Sequence, residues 1–139
     1  MIYDADDPLS ALQLALTKLW PQAERVPFHQ VMLGEREPRE AACEENVKTW
    51  VADHPECSAV RGWGSAGTAD ASGSWIRVVS HWVVGGPDGA LYDITPMSEA
   101  DRRFLRFIRH PGSDANFDLL KNTVVWFSLH QLRSLDGSC

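Results

Sequence analysis

No apolar run in the 139-residue sequence approaches the roughly 20 residues of a membrane-spanning helix, so no membrane association is expected. Nor is a secretory leader expected, since Met1-Ile2-Tyr3-Asp4-Ala5-Asp6-Asp7 is acidic where a signal peptide would be basic. Cysteine is scarce and odd in number, with only Cys43, Cys57 and Cys139. That count gives no disulfide framework and points to a reducing, cytoplasmic setting, although signal-independent export as an effector is compatible with it. No short-spaced ligand pair such as Cys-x-x-Cys or His-x-x-x-His occurs, so no metal and no other cofactor is expected. The net charge of −6 argues against general nucleic-acid binding. The small, polar stretch Gly64–Ser74 lacks the Lys-Ser/Thr ending of a phosphate loop and has no helix after it, so it reads as a mobile loop between elements.

What remains is an ordinary globular composition, 44% hydrophobic and 23% charged. The length fits one domain over residues 1–139, enough for a real core. Within it, 39–96 reads as the core unit, 64–74 as the mobile loop and 136–139 as a frayed tail. Six tryptophans are many for this length, and Trp serves both cores and binding surfaces.

Asp7-Pro8 reads as a helix start, an N-cap followed by Pro at the first helical position. Leu9, Leu12, Leu16 and Leu19 then recur at helical spacing until Pro21. Val26–Leu33 is apolar and bounded by Pro27 and Gly34, which suggests a short strand. Glu37-Pro38 opens a second helix over Arg39–His54, with Cys43, Val47, Trp50, Val51 and His54 on its apolar face. This puts Cys43 about a turn and a half inside the helix. Cys57–Trp63 reads as a strand. Trp75–Val84 and Ala90–Thr95 read as a hairpin joined by Gly85-Gly86-Pro87-Asp88-Gly89. The first of these strands is apolar on both faces, as expected of a central strand covered on both sides. Ser98–Asp101 caps a short turn, Asp114–Lys121 reads as a short helix and Thr123–Leu129 as a strand. The expected class is therefore α+β, with N-terminal helices packed on a central antiparallel sheet.

If the five turn residues are the whole loop, Val84 pairs with Ala90 and His81 lies directly opposite Asp93. Opposed residues point to one face with Cβ atoms about 5 Å apart. A carboxylate there holds one imidazole nitrogen and leaves the other free to act on a thiol. That is the layout of a cysteine nucleophile (Cys43), its base (His81) and the group that orients the base (Asp93). Asp93 also has a local use, bonding backbone within Asp93-Ile94-Thr95-Pro96. A helix N-terminus and an adjacent imidazole both favour the reactive thiolate. Gln30 or Asn46 would offer an amide to an oxyanion hole, and Asn46, one turn from Cys43, would alternatively pin the helix. Trp63 and Trp82 are candidate walls of a substrate site, and Gly64–Ser74 a candidate gate. Cys57 is an alternative nucleophile without helix support. His29, His54, His110 and His130 read as structural or surface residues. Arg102, Arg103, Arg106 and Arg109, interleaved with Phe104 and Phe107, read first as a solvated face whose arginines offset local acids; alternatively Arg102, Arg103 and Arg106 would bind an anionic ligand or an acidic protein partner.

The order of Cys on a helix, His on a strand and Asp on the next strand resembles the papain-like and transglutaminase-like cysteine superfamily. The resemblance is carried by Ala42-Cys43-Glu44-Glu45-Asn46-Val47, Gly62-Trp63, Ser80-His81-Trp82-Val83-Val84 and Asp88-Gly89-Ala90-Leu91-Tyr92-Asp93-Ile94-Thr95-Pro96. It implies an α+β fold with the Cys helix packed on an antiparallel sheet. It further implies acyl transfer at an amide by a Cys43-His81-Asp93 triad: peptide or amide hydrolysis, glutamine deamidation, or transfer to an amine, on a protein substrate. Glu44 departs from the family pattern, and a carboxylate facing the sulfur would favour the neutral thiol. The alternative is a non-catalytic, inhibitory protein-binding module on the same fold, such as a phage or bacterial antagonist.

Overall fold

A computed structural model of the chain describes residues 7–68 and 75–128. The acidic start at 1–6, most of the glycine-rich loop at 69–74 and the tail with Cys139 and His130 lie outside the described residues. Helices α1 (Pro8–Leu19), α2 (Cys43–Asp53), α3 (Glu99–Phe104) and α4 (Asp114–Leu120) accompany strands β1 (Ser58–Thr68), β2 (Trp75–Gly85), β3 (Leu91–Tyr92), β4 (Phe107–Arg109) and β5 (Val124–Ser128). The five strands form one sheet, and every named pairing in it is antiparallel. The class is α+β.

β2 is the spine of this sheet. It pairs along its length with β1 on one edge, and on the other edge with β5 at Trp75–Val79 and β3 at Val84–Gly85. Its alternating side chains serve two cores. Val78, Trp82 and Val84 join Leu12 and Leu16 of α1, Val47 of α2 and Phe117 of α4. Val83 joins Val26, Val60 and Phe107 on the other face. Burying one such side chain fully contributes about 2 kcal/mol, so both faces hold β2 central.

Local chemistry sets most element boundaries. Asp7 caps α1 by accepting from the Leu9 amide, and Ser98 and Ser113 cap α3 and α4 in the same way. Four expectations need correction. Val26–Leu33 is extended but makes only single bridges, Phe28 to Asp93 and Leu33 to Arg36, since Pro27 has no N–H to donate to a ladder. α2 starts at Cys43 rather than near Pro38, because Ala41 sits at φ 57° and breaks the helical path. β1 runs on to Thr68, so Gly64–Thr68 is strand rather than loop. Gly62 and Gly64 are there for close approach: a Cβ on Gly62 would lie 2.3 Å from the Ile108 carbonyl oxygen, and one on Gly64 2.8 Å from Leu105 Cδ1. Finally, Val84 pairs with Tyr92 rather than Ala90, so the hairpin is two residues out of the expected register.

Candidate functional site

Asp93 leaves β2 at once. Its amide donates to the Pro27 carbonyl and its own carbonyl accepts from the His29 amide. The observed register sets Asp93 diagonal to His81 rather than opposite it. An even register shift preserves the face, and a diagonal pair is still within reach of a histidine side chain. His81 Nε2 donates to Asp93 Oδ2 at 2.6 Å. The carboxylate is fully buried, and two more donors satisfy it: the Thr95 amide to Oδ1 at 2.9 Å and Arg102 Nη1 to Oδ2 at 2.9 Å. The local backbone role and the histidine-orienting geometry thus coexist in one side chain.

With Nε2 engaged, Nδ1 is the imidazole nitrogen left for Cys43. Burial pushes the His81 imidazolium down, but the Asp93 carboxylate and the Cys43 sulfur outweigh it and raise its pKa from 6.5 to about 9. Burial likewise pushes the Asp93 carboxyl up, and the His81 hydrogen bond and charge, the Thr95 amide and Arg102 together hold it below its ordinary 3.8. At neutral pH the pair is therefore a buried imidazolium and carboxylate.

Cys43 is the first residue of α2 and half-buried. Ala42, at the N-cap, has no side chain to accept from the first-turn amides, which leaves them with the helix's positive end directed at this region. Glu44 is engaged elsewhere: Lys121 Nζ donates to its Oε1 at 2.9 Å, and Lys48 lies 3.6 Å from Oε2. The Lys121 hydrogen bond, with help from Lys48, holds its carboxyl below the ordinary range against a modest cost of burial. The Glu44 carboxylate is thus tied down by two lysines.

Cys43 and His81 line one cavity of about 580 Å³, whose walls include Gly64, Ser65, Arg77 and Thr95. The small residues of β1 make this space, since Gly64 lies against the His81 side chain.

The remaining candidates fall elsewhere. Trp63 and Trp82 are 0% and 2% exposed and pack edge-on against Phe117, so they are core residues and not substrate walls. Asn46 offers no free amide. It donates to the Arg39 carbonyl at 2.8 Å and to Thr95 Oγ1 at 3.1 Å, and accepts from the Arg39 amide, which pins the segment before α2. Gln30 lines a different cavity, beside Phe28 and Arg102. Arg102 is committed inward: Nη1 to Asp93, Nη2 to the Thr95 carbonyl at 2.7 Å, and the guanidinium over the Phe28 ring at 4.6 Å. It is not available as a partner-binding residue. Arg103 is exposed and Arg106 half-buried, away from Asp93. Cys57 sits 3.6 Å from the Tyr92 hydroxyl, which accepts from Trp50 Nε1. Among the described residues no group of three His, Cys, Asp or Glu side chains is arranged to hold a metal ion. No described helix is long and apolar enough to cross a membrane.

Sequence reasoning gave Asp93 a backbone bond within 93–96, which the Thr95 amide makes, but missed Arg102 as its partner. The Arg102 contact had no signal, since it depends on how α3 docks.

No protein-family model matches the chain, and no curated protein or solved structure matches it.

Proposed function

We propose that the protein catalyses cysteine-dependent acyl transfer at an amide, as a deamidase, amidase or peptidase with a papain-like or transglutaminase-like arrangement. One observation carries this reading: the buried Asp93–His81 hydrogen bond, with His81 and Cys43 lining one cavity at the start of a helix. In the proposed reaction His81 holds the thiol proton and the Cys43 sulfur attacks the amide carbonyl, forming a C–S bond. The uncapped amides at the start of α2 face the developing oxyanion. The C–N bond breaks as His81 passes its proton to the leaving nitrogen, which departs as ammonia or an amine. Water then attacks the thioester, His81 takes its proton and the thiolate leaves. Asp93 keeps the ring oriented throughout.

Iodoacetamide alkylation followed by intact mass tests this directly. In wild type, Cys43 should react near pH 6 at a rate within about ten-fold of that at pH 8.5, and His81→Ala should lose that low-pH reactivity. A glutamine-peptide screen should show ammonia release or cleavage that Cys43→Ala abolishes while its thermal unfolding is unchanged. A thiol inert when folded, or turnover that survives Cys43→Ala, overturns the assignment.

A further inference from the structure

Three arginines share a second cavity whose described walls contain no carboxylate. Arg25, Arg103 and Arg106 line a hollow of about 400 Å³ together with Trp20, Ile76 and Phe104. Ser65 lines this hollow and also the Cys43 cavity, so the two adjoin at that residue. The described ion pairs of the chain's arginines involve Arg36, Arg61 and Arg102 and none of these three. Arg106 spends one guanidinium nitrogen on the Leu105 carbonyl at 3.1 Å. In a chain with a net charge of −6, three neighbouring cations with no ion pair among the described residues run against the overall balance. The Ser65 hydroxyl is already used, donating to the Phe104 carbonyl at 2.7 Å and accepting from the Arg106 amide at 2.8 Å. It holds the Arg106 backbone, and the donors left facing a ligand are guanidinium forks, which match carboxylates.

We propose that the Arg25–Arg103–Arg106 pocket binds an acidic side chain of a peptide whose target amide enters the Cys43 cavity. The second half rests on the acyl-transfer reading; the binding itself does not. The apolar half of the lining favours a peptide over a small free anion. Phe104 is 54% exposed, and an apolar residue next to the acidic one would cover it, whereas a lone anion would leave it in water.

The test is fluorescence anisotropy on full-length Cys43→Ala protein, with a fluorescein-labelled peptide of alternating Glu and Phe around one Gln. The expected results are that Arg103→Glu with Arg106→Glu weakens binding about ten-fold or more, while Arg103→Lys with Arg106→Lys, which keeps the charge and loses the fork, weakens it less. Arg109→Glu, exposed on β4 and outside the pocket, should leave binding unchanged. Replacing each Glu of the peptide by Gln should cost as much as the double reversal. Equal binding of the neutral peptide, no effect of charge reversal in a variant that melts like the parent, or inorganic phosphate competing as well as the peptide overturns the proposal. Peptide binding without turnover by wild type would fault the acyl-transfer reading alone; turnover indifferent to the reversals would fault this pocket alone.

Discussion

His81 and Asp93 share a 2.6 Å hydrogen bond although neither is the other's partner across the hairpin. Two residues of register shift move Asp93 off the ladder, where the chain segment at 27–29 holds its backbone. The carboxylate then approaches the imidazole diagonally while Arg102 and Thr95 take its other lone pairs. The orientation of His81 is therefore set by four parts of the chain, with the hairpin as only one of them.

This pair makes stability depend on pH with a definite sign. The folded pKa of His81, about 9, lies above its ordinary 6.5, so its contribution is full below 6.5 and is lost as pH rises through 9. Asp93, held below 3.8, contributes above that value and loses its contribution as pH falls beneath it. The urea midpoint of wild type should be highest from about pH 4.5 to 6.5 and decline toward pH 9. Asp93→Asn should lower stability at neutral pH by about 3 kcal/mol and flatten that decline, because the buried imidazolium then loses its main charge partner. A wild-type midpoint flat from pH 6.5 to 9 would contradict the buried ion pair.

Arg102 acts on the site through Asp93. Its fork spans Asp93 Oδ2 and the Thr95 carbonyl, a geometry a lysine cannot reproduce. Arg102→Met should destabilise by about 2 kcal/mol and let Asp93 protonate at higher pH, since the guanidinium is one of the charges holding its carboxyl down. The acid limb of the Cys43 alkylation profile should then move upward. Arg102→Lys should restore the limb, because the charge returns, but only part of the stability. An acid limb that stays in place in the Met variant means Arg102 is merely structural.

Much of this was legible beforehand, and the reasons are specific. The Asp7-Pro8 start and the leucine spacing after it marked α1, and the two-faced apolarity of Trp75–Val84 marked β2 as central. The nearness of His81 to Asp93 survived a wrong register because an even shift keeps side chains on the same face. The start of α2 was misjudged because Pro38 mimics a helix-opening proline. What breaks that path is the positive φ of Ala41, which no residue type there announces. Trp63 and Trp82 were misassigned because a tryptophan's chemistry suits core and surface alike. The role of Arg102 was illegible because it depends on the docking of α3, a tertiary fact.

The two β1 glycines separate folding from site geometry. A Cβ at Gly62 would sit 2.3 Å from backbone of β4 and 2.4 Å from Phe107 Cζ, and backbone cannot step aside. Gly62→Ala should cost about 3 kcal/mol or prevent folding. At Gly64 the added methyl meets Leu105 Cδ1 at 2.8 Å, which can rotate away, and His81 Cβ at 3.4 Å. Gly64→Ala should fold with a loss of about 1 kcal/mol yet slow Cys43 alkylation, because the methyl takes up room in the cavity that Gly64 and Cys43 both line. Urea unfolding beside alkylation rates checks both; a Gly64→Ala protein with unaltered reactivity would show that the cavity still admits the reagent.

Ala41 and Asn46 together deliver Cys43 to the first position of α2, and their substitutions should differ in cost. Ala41 holds φ 57°, a conformation that costs a non-glycine residue about 1 kcal/mol. Ala41→Gly removes that strain but adds freedom to the unfolded chain, so stability should change by no more than about 0.5 kcal/mol. Ala41→Val should lose about 2 kcal/mol, since a β-branched side chain resists this region. Asn46 is fully buried, and its amide joins Arg39 on one side to Thr95 on the other. Asn46→Ala strands the Thr95 hydroxyl and both Arg39 backbone groups, which should cost about 3 kcal/mol. It should also slow Cys43 alkylation, because the segment that ends α2 at Cys43 is then free to wind further. Circular dichroism would register that winding as a gain in helix over wild type. An Asn46→Ala protein with normal reactivity and no gain would mean that the turn at Ala41 alone defines the start of the helix.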